Sequence, residues 1–79
     1  MATVVRRIGT SPRARGSASG QSCPDIFELG DGDFAVIGRD ATVELERHLP
    51  PDAARAADER IVVITRATLV QARDDIPPA

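Results

Sequence analysis

The chain of 79 residues carries ten Arg, no Lys and twelve acidic residues, for a formal net charge of −2. A chain of this length forms one domain at most and buries only a modest share of its surface. A single Cys excludes an internal disulfide, and one Cys with one His falls short of a closed zinc site, so the extra support expected for so small a core is a partner or self-association.

The charge is unevenly placed. Residues 1–20 hold Arg6, Arg7, Arg13 and Arg15 and no acid, whereas residues 21–79 set six Arg against all twelve acids. A basic arm on an acidic body is the pattern to explain. No apolar run is long enough to span a bilayer, and the first residues lack the apolar stretch of a secretory signal. With a lone Cys, this reads as a cytoplasmic protein with no membrane contact.

Residues 8–22, IGTSPRARGSASGQS, are Gly, Ser, Pro and Arg with almost nothing apolar. Such a stretch cannot bury enough surface to offset its ordering entropy. Residues 1–21 therefore read as a disordered basic arm, in which TVV at 3–5 is the one part able to add a short edge strand. Ordered structure is expected to begin near Cys23 and to fill residues 22–79.

IFEL, GDGD and FAVIG follow, from Ile26 to Gly38. Two β-prone runs joined by four turn residues predict a hairpin. Gly30 and Gly32 would supply positive φ, and Asp31 and Asp33 would bond nearby amides. After them the period changes. Ala41, Leu45, His48 and Leu49 fall on one helical face, with Asp40 as N-cap and Pro50 and Pro51 as the stop. RIVVI at 60–64 predicts a strand covered on both faces. A second helix follows, capped by Thr65, with Leu69, Ala72, Arg73 and Ile76 at helical spacing, Val70 beside them, and Pro77 and Pro78 as its end. The order is β-β-α-β-α. The expected fold is a small α+β domain: a three-stranded sheet, made of the hairpin plus one strand, with two short helices on one face.

No set of residues assembles a catalytic site in the sequence, and neither a cofactor nor a metal is expected. The Gly-Asp stretch stops after two acids, where a calcium loop needs five or six ligand positions ending in Glu. It opens a strand rather than a helix and has no Lys, so it is not a phosphate loop either. Cys23 has no adjacent base and reads as a small residue opening a strand, with an intermolecular disulfide as the next reading. His48 reads as a capping or interface residue. Asp25, Glu28, Asp31, Asp33, Asp40, Glu44 and Glu46 read as a solvated acidic face, or more sharply as a surface that docks a basic partner.

SCPDIFELGDGDFAVIGRDAT, together with VVITRATL, resembles small actinomycete proteins encoded beside helix-turn-helix regulators. These are the BldB-like group and the related domain of unknown function found with WhiJ-type regulators. The order is shared: Cys23, the strand at 26–29, the Gly-rich turn at 30–33, AVIGRD, then a strand ending in Thr65 and a helix. The resemblance covers about residues 22–72. Leu69 and Val70 stand where the family has Trp, and residues 41–59 are inserted. It implies a non-enzymatic regulatory protein in development or secondary metabolism, which contacts a DNA-binding partner or dimerises.

Composition and resemblance together lead to the expectation of a small interaction protein that binds a helix-turn-helix regulator, itself, or both. The contacts expected are Phe27, Phe34, Leu45, Leu49, Leu69 and Ile76, with Asp31, Asp33, Glu44 and Glu46 supplying charge selection. Two other readings stay open. One is direct binding of nucleic acid through Arg6, Arg7, Arg13 and Arg15. The other is a non-catalytic accessory subunit of a biosynthetic enzyme.

Overall fold

The computed structural model describes residues 2–11 and 24–78; Arg13, Arg15 and Cys23, with the expectations attached to them, lie outside these. The first ordered element is a strand in the arm, where the sequence allowed a short edge strand at 3–5 and the structure carries it on to Ile8. β1 (Val4–Ile8) pairs antiparallel with β2 (Asp25–Leu29), setting Arg7 opposite Phe27 and Ile8 opposite Ile26, with an irregularity between Val4 and Arg6. β2 pairs antiparallel with β3 (Phe34–Ile37), and the sheet runs in the order β1-β2-β3.

The hairpin between β2 and β3 forms as expected, with a tighter loop. The Leu29 amide donates to the Asp33 carbonyl at 2.9 Å, and the Gly32 amide donates to the Leu29 carbonyl at 3.1 Å. The loop is therefore three residues, 30–32, and only Gly32 needs positive φ, at 95°. The Asp31 carboxylate accepts the Asp33 amide at 3.0 Å, the Asx turn that the sequence indicates.

β4 (Arg39–Asp40) continues the chain one residue after β3 and pairs antiparallel with β5 (Val62–Val63) as a separate two-stranded sheet. The strand expected at 60–64 is thus cut to two residues, and Val62 and Val63 are both exposed rather than covered. The physical reason is the shortness of its partner: Arg39 and Asp40 offer two positions to pair with, so four β-branched residues cannot become a central strand. The fold is α+β with a three-stranded sheet, but its third strand comes from β1 and not from residues 60–64.

α1 (Thr42–Leu45) runs into a 3-10 turn at Glu46–His48. The N-cap position falls on Ala41, which has no side chain to cap with, and not on Asp40; one residue earlier, the Asp40 carboxylate holds the entry by accepting from the Thr42 hydroxyl at 2.7 Å and the Thr42 amide at 3.0 Å. Buried Thr42 in turn accepts the Ile61 amide at 2.9 Å, tying α1 to the chain entering β5. α2 (Arg66–Ala72) is capped by Thr65, whose hydroxyl accepts the Thr68 amide at 3.2 Å, and ends in a 3-10 turn at Arg73–Asp75.

The core is small. Ile8, Ile26 and Ala72 form it, with Ile64 packed against them, and Ile8 is 1% exposed. α2 reaches the sheet through Thr68 and Ala72, whereas Leu69 and Ile76, at the same helical spacing as Ala72, are exposed. Gly9 explains this choice. It lies at φ 82°, and a Cβ there would stand 3.2 Å from the Ala72 backbone. Helix and strand approach almost backbone to backbone, which admits Ala and Thr but no longer side chain. The Gly9 amide also donates to the Asp75 carboxylate at 2.8 Å, fixing the end of β1 to the turn after α2.

Candidate functional site

Side chains alternate between the two faces of a strand. Ile8, Ile26 and Val36 form one row across the sheet on the α2 side; Arg7, Phe27 and Ala35 form a row on the opposite face. That opposite face carries the best-held charge pair of the molecule. Arg7 Nε donates to both Asp25 oxygens, at 3.0 and 3.1 Å, and Asp25 is 5% exposed. The Arg7 guanidinium also sits 5.3 Å from the centre of the Phe27 ring, a stacking that stabilises the cation over the aromatic face. Arg6 pairs with Glu28 at 2.7 Å and donates to the Asp75 carbonyl at 2.8 Å.

These contacts revise two expectations. Asp25 and Glu28 do not belong to a solvated acidic face; they neutralise the guanidiniums of β1. Arg6 and Arg7, read as free cations of an arm, are engaged on the sheet.

The residues expected to meet a partner do not gather at one place. Phe27 is half-buried beneath Arg7, and Leu45 and Leu49 are half-buried beside α1. Leu69 and Ile76 are exposed on and after α2, and Phe34 is 40% exposed on β3. The acids separate likewise. Asp31 stands in the hairpin loop and Asp33 just after it. Glu44 pairs with Arg39 at 2.7 Å, and Glu46 pairs with Arg55 at 2.9 Å. Half of the acidic surface is therefore compensated within the chain. His48 is exposed in its 3-10 turn.

The surface that stands out was not singled out from sequence as a unit: the outer edge of β3. As the last strand of its sheet, β3 has β2 on one side only. Leu29 and Asp33 exchange a ladder bond, so by alternation Phe27 with Ala35 and Asp25 with Ile37 are the hydrogen-bonded pairs. The amides and carbonyls of Phe34 and Val36 then point away from β2. All four residues of β3 are apolar, and Val36 and Ile37 are 44% and 54% exposed. Sheet edges are normally blunted by charge, proline or a covering element, and β3 has none of these within its length. An open groove of about 560 Å³ beside Ile37, Val63 and Ile64 continues the apolar surface at one end. Strand alternation puts Phe34 and Val36 on one face; nothing local could show that this strand ends the sheet.

Among the described residues, no group of three or more His, Cys, Asp or Glu is placed to hold a metal, and no helix is long and apolar enough to cross a membrane. The Asp40 carboxyl is held below its ordinary value by the Thr42 hydroxyl and amide that donate to it, with Arg60 and Arg55 adding a smaller electrostatic effect. Comparison with family models, with curated proteins and with solved structures gave no match.

Proposed function

We propose that the chain is a non-enzymatic interaction protein of the cytoplasm that binds a helix-turn-helix transcriptional regulator. The observation that carries the binding role is the distribution of apolar side chains. Among the described residues, the core cluster holds three buried residues while eleven large hydrophobics are exposed, among them Phe34, Val36, Ile37, Leu69, Val70 and Ile76. Where such side chains adjoin, as Phe34, Val36 and Ile37 do along β3, contiguous apolar surface marks a site where another molecule is taken up. The nature of the partner rests on the resemblance of residues 22–72 to proteins encoded beside such regulators.

The reading through an Arg-rich arm is weaker in this fold. Arg6 and Arg7 already meet Glu28, Asp25 and the Asp75 carbonyl, so binding phosphate would require breaking those pairs.

The test is capture from nuclease-treated lysate of the native host, with the tagged full chain as bait and mass spectrometry as readout. A helix-turn-helix protein retained in near-equal amount is the expected result. Leu69→Asp and Ile76→Asp, both at exposed positions, should reduce that capture without unfolding the chain. Recovery of the bait alone would end the regulator reading.

A further inference from the structure

We infer that two copies of this chain join edge to edge through β3, antiparallel about a two-fold axis at Val36, into one six-stranded sheet. This deepens the interaction reading, on which it rests in taking the exposed apolar surface as functional, by naming a second copy as the occupant of one edge.

The register follows from the geometry of the strand. A new ladder on the outer edge of β3 must use residues whose amides and carbonyls point outward, namely Phe34 and Val36. Placing Val36 against Val36 of the second copy satisfies this. The same register puts Ala35 opposite Ile37 of the second copy and Phe34 opposite its Gly38. One step further out, Asp33 comes opposite Arg39 of the second copy, and the two-fold makes that pair twice. The edge is uncharged from Phe34 to Gly38, with an acid before it and a base after it. Antiparallel self-pairing therefore joins unlike charges at both ends.

Both flanking side chains are available. Asp33 is exposed just after the hairpin loop. Arg39 uses Nη1 for Glu44 and is 60% exposed, which leaves its remaining N–H groups for a second carboxylate. The opposite edge of the sheet is a poorer candidate. A central antiparallel pairing of β1 with its copy would set Arg6 against the same cation of the second copy. On the α2 side, Phe34 and Val36 of both copies would form one apolar strip beyond the reach of the helix, whose packed residues lie against Ile8 and Ile26.

Sedimentation velocity of the purified full chain, from micromolar to millimolar concentration, tests the inference. The expected result is a shift from 8.4 kDa to twice that mass. Asp33→Arg or Arg39→Asp alone places like charges together at two points and should weaken association about tenfold, while the double swap restores it. Amide exchange at Phe34 and Val36 should slow as concentration rises. A chain that stays monomeric throughout, single swaps without effect, a double swap as weak as the singles, or Val36 exchange independent of concentration would each overturn the inference. A monomer that still captures the regulator would overturn this inference alone. A dimer that captures nothing would overturn the proposed function alone.

Discussion

Asp40 shows how one carboxylate organises a local structure. Thr42 donates to it twice, by hydroxyl and by amide, and both bonds favour its charged form. A folded-state pKa below the ordinary value of 3.8 follows. The sign of the linkage is that of a depressed carboxylate: its contribution to stability is fully present above the ordinary value and is lost as pH falls through the folded one. An NMR titration should therefore find the Asp40 carboxyl titrating below 3.8, with the Thr42 amide shift following it, and Asp40→Asn should abolish that step. Titration at or above 3.8 would mean that the two bonds are not formed in solution. The sequence marks Asp40 as a cap because Asp ahead of a helical period is a local signal. That Thr42 hands the bond on to Ile61, nineteen residues away, is not visible in sequence.

Among the elements, α2 illustrates what local and distant forces each decide. Its start is set by Thr65, read correctly from sequence, because an N-cap needs only its own side chain and the amide three residues on. Thr65→Ala should cost about 1 kcal/mol in urea denaturation and speed amide exchange at Thr68; no change in either would show that α2 does not depend on its cap. Its spacing does not fix which side packs. Leu69, Ala72 and Ile76 share a helical period, but so do Thr68 and Ala72, and a helix of seven residues is too short for periodicity to choose between adjoining faces. Gly9 chooses, by demanding a neighbour without bulk. The same reasoning covers β5: four β-branched residues give β propensity, yet strand length is set by the partner strand.

For the whole molecule, stability depends on β1. Ile8 is its most deeply buried large side chain and bridges the sheet to Ala72 of α2. Ile8→Ala should cost about 2–5 kcal/mol, a large share of the total stability of so small a domain. Thermal unfolding followed by circular dichroism would read it, and an unchanged midpoint would mean that residues 4–8 are not part of the fold. With so few residues inside, the chain keeps apolar surface outside. Much of it lies on β3, where pairing with a second copy would lengthen the sheet, and on the free side of α2, where a regulator would dock.

The sequence by itself determined the α+β class, the hairpin of β2 and β3, the cap at Thr65 and the helix stops before the prolines. Each of these is written in residues a few positions apart, through turn chemistry, capping and the restrictions of Gly and Pro. Only the tertiary structure decided that residues 4–8 complete the sheet, that Asp25 and Glu28 serve Arg7 and Arg6, that α2 packs through its small residues, and that β3 is left as an edge. Those outcomes depend on which strand meets which across long stretches of chain. Burial, charge pairing and backbone contact are settled by that meeting and not by any local pattern.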